Sequence, residues 1–390
     1  MDNPAASQRY YAMDALRSSM MLLGIVLHAA LPYTTVHLRA QFKDPDTNVV
    51  FDVLVFFLHS FRMPLFFVAA GFFAGLLCER YGVRGMVRNR FLRIFVPFAV
   101  GWLVLVPLTR MAQHFAEAVA ASGSVRAGFE VLPWSMTYHL WTVMFHLWFL
   151  IALLLLYPFG LLLWWRVSRI DELRRRKWAG MTRRVLSSPW RPAVLICVTC
   201  AFGAVEFVST GTILGEGAFA VFFGMGWLLY AHADLLPTLR HHAWTYIAVG
   251  FALLPVAAWA ARASTFASAD NAVAPGAVAW VAYSAMSAFM AFGMLGAVLT
   301  YCSRPNPVTR YLSDASYWIY LVHYPLIAFI GGMLASTAVA PALKFAATVA
   351  ATTPILLGSY HLCVRFTAIG IVLNGRKHVR DANGRAIPAT

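Results

Sequence analysis

Charge is scarce in this chain of 390 residues, of which only 12% are Asp, Glu, Lys or Arg. A soluble globular protein carries about 25% charged residues, so the shortage excludes a soluble fold. The hydrophobic fraction is 60% and the mean hydropathy is +0.67. These values predict an integral membrane protein that contacts the lipid bilayer. They predict no oligomeric state, because lipid-facing and partner-facing apolar surfaces have the same composition.

Acidic residues are the rarer charge, with 16 Asp and Glu against 31 Lys and Arg and a formal net charge of +15. In a soluble protein this excess would indicate a nucleic-acid partner. In a membrane protein the location of positive charge sets topology instead, so we expect no nucleic-acid partner.

Motifs for metals, redox chemistry and nucleotide cofactors are also missing. Cys197 and Cys200 form the one CxxC among five cysteines, and "AVLICVTCAF" offers neither a second ligand pair nor polar neighbours. We therefore expect small apolar helix residues there, no metal site and no cofactor. The sequence has no P-loop or strand-turn-helix pattern, so we expect no separate soluble domain. We expect no cleavable signal peptide, because the first apolar run lacks a small-residue cleavage site.

Long apolar runs are abundant. Ten are long enough to cross a bilayer, which takes about 20 residues, and they predict an all-α protein with ten transmembrane helices. They cover residues 13–36, 51–77, 94–115, 139–165, 192–210, 217–233, 244–262, 276–302, 312–334 and 342–365. The predicted division is a cytoplasmic segment at 1–12, a transmembrane domain at 13–365 and a basic cytoplasmic tail at 366–390.

The positions of Lys and Arg support this division. The alternate segments that start with the N-terminus hold 23 of the 31 Lys and Arg. Positive charge concentrates on the cytoplasmic side of membrane proteins, so both termini are expected in the cytoplasm.

The first run carries Asp14, Arg17 and His28 in "MDALRSSMMLLGIVLH". Asp14 and Arg17 have i, i+3 spacing and are expected to pair. His28 follows Arg17 by eleven residues, which places it within about 20° of the same face and about 16 Å further along the helix. An ionisable group inside a membrane is a functional candidate, although a snorkelling Arg17 and a hydrogen-bonded His28 would also explain the pattern.

The second run contains His59, Ser60 and Arg62 in "HSFRMPLFF". His59 is predicted at about the depth of His28, so the two imidazoles could meet. Arg62 lies deeper, and a purely structural role would require an anionic partner. Asp52 and Glu206 are the available candidates.

The fourth and ninth runs add His139, His146 and Trp148 in "YHLWTVMFHLWFL", and Tyr320 and His323 in "IYLVHYP". His146 is predicted about 10 Å below the outer boundary, and His323 about 16 Å from the cytoplasmic end of its helix. A proline two residues after His323 loosens the local helical hydrogen bonding. Histidine titrates near working pH, so such residues suit a general base or a nucleophile.

Taken together, "RSSMMLLGIVLH", "FRMPLFFVAAGFF", "RFLRIFVP", "FHLWFL" and "IYLVHYP" resemble, in order, the motifs of the membrane-bound acyltransferase type 3 family. The resemblance extends over nearly the whole chain. It is nearest to the glucan biosynthesis protein C branch, which succinylates osmoregulated periplasmic glucans.

This resemblance implies an acyltransferase of class EC 2.3.1 in the bacterial inner membrane. It implies acyl-coenzyme A, with succinyl the best choice, as cytoplasmic donor and co-substrate, and a periplasmic glucan hydroxyl as acceptor. The family's arginine and histidine correspond to Arg17 and His28, and its RxxR motif to Arg90 and Arg93. We expect His28, Arg17 and Asp14 to be catalytic, and Arg88, Arg90 and Arg93 to bind the donor. Arg62, a deep cation, would bind the free carboxylate of a succinyl donor. The acceptor or the surrounding shell would involve His59, Ser60, His146, Trp148, Tyr320 and His323.

Two other functions fit the same composition. A secondary transporter or a flippase for a glycan or lipid-linked sugar would use the buried charges as a substrate or proton path. A membrane scaffold for an envelope-polysaccharide complex would tolerate replacement of the histidines.

Overall fold

A computed structural model describes residues 10–36, 42–132, 144–210, 217–374, 378–380 and 386–388. The chain forms two compact units, which are described separately. The first unit comprises residues 1–20, 56–86 and 155–306, and the second comprises residues 21–55, 87–154 and 307–390.

Helices account for nearly all of the described residues. The helices are α1 (Tyr11–Ala30), α2 (Val49–Arg90), α3 (Val96–Ser122), α4 (Val125–Val131), α5 (Trp148–Ser168), α6 (Glu172–Ser187), α7 (Arg191–Thr210), α8 (Gly217–Ala231), α9 (Ala243–Phe266), α10 (Ala269–Tyr301), α11 (Pro307–Ala335), α12 (Pro341–Ser359) and α13 (Ala368–Asn374). Short 3₁₀ helices cover Leu31–Tyr33, Phe145–Leu147 and Ala233–Arg240, and π-helical turns cover Phe91–Phe95 and Tyr360–Val364. An antiparallel pair, β1 (His378–Arg380) and β2 (Ala386–Pro388), lies near the C-terminus.

Most of the ten predicted apolar runs lie in membrane-length helices. Seven described helical stretches are long and apolar enough to cross a membrane, and the number is nine if each of two bent helix pairs forms one span. The all-helical fold class is therefore confirmed, apart from the short strand pair.

The segments between the predicted spans contain more helix than expected. The basic run 166–191 contains α6, which begins at an N-cap where the Asp171 carboxylate accepts hydrogen bonds from Leu173 N–H and Arg174 N–H. The tail expected at 366–390 contains α13, and residues 375–377, 381–385 and 389–390 lie outside the described residues. The segment 1–12 is described only from residue 10 onward.

In the first unit, α9 and α10 pack along each other, and α10 also packs against α7. Close approach requires small residues at the contact. A Cβ atom on Gly293 would lie only 2.7 Å from Cγ1 of Ile247. Small interfacial residues let membrane helices pack by dispersion, which is the main attraction available in lipid.

In the second unit, α11 packs against both α3 and α12. A Cβ atom on Gly332 would lie 2.6 Å from the Cβ atom of Ala116, so α11 and α3 approach closely there. A buried cluster continues from this contact and comprises Phe42, Phe115, Ala116, Val119 and Ala335. This packing fixes α11, which carries two of the predicted site residues.

Candidate functional site

Three histidines from separate parts of the sequence lie together in the second unit. The ring centres of His28 and His323 are 5.1 Å apart, and those of His146 and His323 are 5.2 Å apart. Tyr324 lies beside them, with its ring centre 4.8 Å from that of His28 and 5.2 Å from that of His146. His146 and His323 are buried and His28 is half-buried. The cluster therefore brings three imidazoles into a largely apolar interior.

Pro325 explains why His146 binds α11 at this point. A proline has no N–H to donate to the carbonyl four residues earlier, so Pro325 releases the carbonyl of Leu321 from the helical ladder. Nε2–H of His146 donates to this Leu321 oxygen at 3.0 Å. The "HYP" motif thus creates a main-chain acceptor that a side chain from another element satisfies.

Tyr320 forms a second hydrogen bond between α11 and the 3₁₀ turn that contains His146. Its hydroxyl donates to the main-chain carbonyl of His146 at 2.8 Å. Phe145, immediately before His146, has φ of 44°. A non-glycine residue at positive φ is strained and persists only where the surroundings hold it. The two hydrogen bonds and the ring contacts of Phe145 with Tyr324 at 5.8 Å supply that support.

This geometry corrects the predicted start of the fourth helix. Helix α5 begins at Trp148, and His146 lies in the preceding 3₁₀ turn rather than inside a helix that starts at residue 139. The positive φ of Phe145 is incompatible with α-helix, whatever the hydrophobicity of the segment. His139 lies outside the described residues. Trp148 is half-buried as the first residue of α5.

The main-chain contacts assign the tautomers of two imidazoles. Nδ1 of His323 lies 2.7 Å from the carbonyl oxygen of Tyr320 and 3.0 Å from that of Ile319. A carbonyl only accepts, so Nδ1 carries the hydrogen, and the lone pair of the neutral ring is on Nε2. By the same argument the lone pair of neutral His146 is on Nδ1. In the neutral rings, the proton-accepting nitrogens are therefore Nε2 of His323 and Nδ1 of His146.

The first unit contains the predicted pair at the start of α1. An Arg17 guanidinium nitrogen lies 3.7 Å from Oδ1 of Asp14, and the exposed fractions of the side chains are 39% and 15%. The Arg17 guanidinium also lies over the ring of Phe73 at 5.7 Å. The predicted i, i+3 ion pair is therefore present, partly shielded from solvent.

Arg62 is buried in the first unit, with 5% of its surface exposed. Its Nε–H donates to the carbonyl of Met20 at 3.1 Å, and its guanidinium lies 5.6 Å from the ring centre of Phe66. The candidate partner Asp52 belongs to the second unit, where it accepts hydrogen bonds from the Thr35 hydroxyl and main-chain N–H. The side chain of the other candidate, Glu206, lies outside the described residues.

His59 and Ser60 lie on α2 in the first unit. His59 is half-buried, and Ser60 is fully buried with its hydroxyl donating to the carbonyl of Phe57 at 2.7 Å. This hydrogen bond satisfies the serine within its own helix. Contact of His59 with His28 stays a prediction, whereas the contact of His28 with His323 is present.

The arginine run lies at the junction of α2 and α3 in the second unit. Arg88 is exposed, Arg90 ends α2 and Arg93 lies in the π-helical turn that follows. The Arg93 guanidinium donates to the carbonyl of Asn374 at 2.8 Å. Arginine side chains offer several donors in a plane that suits phosphate oxygens, and π-helical turns are frequent at functional sites.

Sequence analysis missed Tyr324 and the role of Pro325, although both stand in the motif that contains His323. The motif indicates that Pro325 loosens the helix. It does not indicate which side chain donates a hydrogen bond to the released carbonyl. Among the described residues, no group of three or more His, Cys, Asp or Glu is arranged to hold a metal ion.

The substitution Pro325→Ala tests the link between α11 and His146. An alanine N–H would compete with His146 for the Leu321 carbonyl, and a hydrogen bond contributes about 1 kcal/mol. We expect turnover of the folded protein to fall roughly fivefold to tenfold, since about 1.4 kcal/mol corresponds to tenfold. The measurement is kcat for the acyl transfer expected from the sequence, in detergent-purified protein.

A matched control is Pro354→Ala, which makes the same change in α12, where the proline side chain is exposed. Turnover of that variant should equal the wild-type value. A wild-type kcat for Pro325→Ala would contradict the role assigned to the released carbonyl.

Comparison with known proteins supports the family resemblance found in the sequence. Residues 10–361 match a protein family described as acyltransferase domain. Similar curated proteins include Glucans biosynthesis protein C of Escherichia coli strain K12 / DH10B, which is 24% identical over 410 residues. The protein of the same name from Escherichia coli O157:H7 is 24% identical over 408 residues. Each alignment covers 98% of this chain and 99% of the relative. No solved structure matches the chain.

Proposed function

The chain belongs to the acyltransferase domain family, and on this premise we propose that it moves an acyl group from cytoplasmic acyl-coenzyme A to a hydroxyl of a periplasmic glucan. The transferred group is succinyl. The name of the relatives, Glucans biosynthesis protein C, supports the acceptor class. The observation that carries the proposal is the histidine cluster of the second unit, since acyl transfer to a hydroxyl requires a base at the reacting atoms.

The proposed topology has ten spans, both termini in the cytoplasm and the bacterial inner membrane as location. Helical residues 49–122 form one stretch of 74 residues. At 1.5 Å per residue this is about 110 Å, against a hydrocarbon thickness of about 30 Å. A stretch of this length would supply two crossings in the proposed topology, and Gly82, with φ of 65° and ψ of 176°, interrupts the helix between them. If each bent helix pair is also one span, the proposed total is ten.

His28 is the proposed general base. The acceptor hydroxyl oxygen attacks the thioester carbonyl carbon while the His28 imidazole takes the hydroxyl proton. The tetrahedral intermediate then collapses, the carbon–sulfur bond breaks, and the proton passes to the departing thiolate. The products are a glucan ester and free coenzyme A, so protons and electrons balance without a cofactor.

The donor is assigned to the arginines. Arg90 and Arg93, with Arg88 beside them, would bind the phosphates of coenzyme A by charge-assisted hydrogen bonds. Arg17, held by Asp14 at 3.7 Å, would guide the pantetheine arm from the cytoplasmic end of α1. Arg62, a buried cation, would neutralise the free carboxylate of the succinyl group.

The acceptor would be held near the remaining cluster residues His146, Tyr320 and His323, with Trp148, His59 and Ser60 as further candidates. Tyr and Trp side chains present both an apolar surface and a hydrogen-bonding group, which suits a sugar ring. An acyl-histidine intermediate on His28 is the alternative chemical path. A burst of coenzyme A release before steady state would indicate that path.

Mass spectrometry of periplasmic glucans tests the proposal. Cells that contain the protein should carry succinylated glucans, and cells that lack the gene should carry unmodified glucans. Purified protein should release coenzyme A from succinyl-coenzyme A in proportion to added glucan. Identical glucans in both strains, together with no acceptor-dependent release, would overturn the proposed function.

A further inference from the structure

A buried ion pair joins two distant parts of the second unit. Nζ of Lys344 donates to both carboxylate oxygens of Asp44 at 3.0 Å, and the exposed fractions of these side chains are 1% and 0%. The mechanism above uses neither residue. Removing one partner of such a pair leaves an uncompensated buried charge, which is strongly unfavourable. The ion pair therefore holds the segment around Asp44 at one distance and in one orientation relative to the segment around Lys344.

One end of the pair is bound to the segment that follows His28. Helix α1 ends two residues after His28 and continues as the 3₁₀ turn Leu31–Tyr33. The Asp44 N–H donates to the carbonyl of Pro32 at 3.1 Å, and the Asn48 N–H donates to that of Tyr33 at 2.9 Å. Asp44 thus holds main chain only one helical turn beyond His28.

The other end lies on α12, which packs against the helix of His323. Lys344 is in the first turn of α12, and the adjacent Phe345 lies 5.5 Å from Phe51 between ring centres. Phe51 in turn lies 5.2 Å from Tyr33. The ion pair and the aromatic contacts of Tyr33, Phe51 and Phe345 therefore both connect the 3₁₀ turn after α1 to the first turn of α12.

Two further contacts hold Phe42, two residues before Asp44, against α3 and α11. The Phe42 N–H donates to Oε1 of buried Gln113 on α3 at 2.8 Å. A Cβ atom on Gly331 of α11 would lie 3.2 Å from the Phe42 ring. Phe42 therefore packs closely against the helix that carries His323. Apolar contacts alone allow sliding, whereas a bidentate ion pair has one preferred geometry.

We propose that Asp44 and Lys344 are positioning residues for acyl transfer, because their ion pair fixes the end of α1 against α12 and so sets the separation of the His28 and His323 imidazoles. The proposal rests on the function proposed above for the histidine cluster. Both residues act through the main chain, and neither belongs to the histidine cluster.

The kinetic test compares single and double neutral variants. Lys344→Met leaves the buried Asp44 carboxylate without its cation, and Asp44→Asn leaves buried Lys344 with only the exposed Asp46 carboxylate at 3.9 Å. Both variants should therefore lower the amount of folded protein. The double variant Asp44→Asn/Lys344→Met contains no unpaired charge and should recover folding. We expect its kcat to stay at least about tenfold below wild type, since misplacement by about 1 Å can cost 10²-fold, while KM for succinyl-coenzyme A stays within twofold.

The control is Arg126→Ala, which removes an exposed ion pair with Glu130 in the same unit. That variant should keep wild-type kcat, because exposed pairs contribute little. A double variant Asp44→Asn/Lys344→Met with wild-type kcat would overturn the positioning role and leave the pair as a folding contact only.

A second measurement does not depend on activity. Cysteines introduced by His28→Cys and His323→Cys, with the five native cysteines replaced, should form a cross-link with a short bifunctional reagent. In the Asp44→Asn/Lys344→Met background the yield should fall at least threefold. An unchanged yield refutes the positioning role even if glucan succinylation is confirmed. A reduced yield supports it even if the substrate proves to be different.

Discussion

His28→Ala is expected to lower kcat for acyl transfer by about 10²- to 10⁴-fold, the usual contribution of a positioned general base. The imidazole that takes the hydroxyl proton is absent in this variant, whereas the arginines proposed to bind the donor are unchanged. KM for acyl-coenzyme A should therefore change little. The measurement is coenzyme A release by purified protein at saturating glucan.

His28→Gln separates the proton transfer from the polarity of the site. Glutamine keeps a hydrogen-bonding side chain but cannot accept a proton at neutral pH, so its loss of activity should match that of alanine. His242→Ala, at an exposed histidine of the first unit, should keep full activity. Near wild-type transfer by folded His28→Ala protein in membranes would refute the assignment of the base.

Arg62→Leu is expected to distinguish between acyl donors. The free carboxylate of a succinyl group entering a low-dielectric interior needs a cation, and removing one partner of a buried charge pair costs about 2–5 kcal/mol. We expect kcat/KM for succinyl-coenzyme A to fall by about 30-fold or more. The value for acetyl-coenzyme A, which has no carboxylate, should fall less than about threefold by the same reasoning.

Arg62→Lys is the matched variant, because it keeps the positive charge without the planar guanidinium. It should recover most of the succinyl activity. Equal losses for succinyl and acetyl donors in Arg62→Leu would assign Arg62 a structural role, based on its hydrogen bond to Met20 and its contact with Phe66.

Local sequence patterns predicted most of the helices and the pair of Asp14 with Arg17. Apolar runs of membrane length and i, i+3 spacing are properties of neighbouring residues, so no tertiary information is needed. The same approach failed at His146, because the hydrophobicity of "VMFHLWFL" does not reveal the positive φ of Phe145. At this strained residue the structure has a 3₁₀ turn, Phe145–Leu147, and the α-helix begins only at Trp148.

Contacts between distant residues were harder to predict. Depth along a helix indicated that several histidines share a level, but it carried no information on which helices are neighbours. Depth suggested that His59 could meet His28, which stays a prediction, but it gave no indication of the contact between His28 and His323. The Asp44 and Lys344 pair joins residues 300 positions apart, and only the packing of α12 brings it together.

The released carbonyl of Leu321 has a consequence for the evolution of this family. Any residue other than proline at position 325 supplies a main-chain donor to Leu321, which would leave His146 to find another acceptor. Homologues that have lost the proline should therefore also have lost the histidine at the position of His146. A survey of homologous sequences in which the two positions vary independently would contradict this coupling.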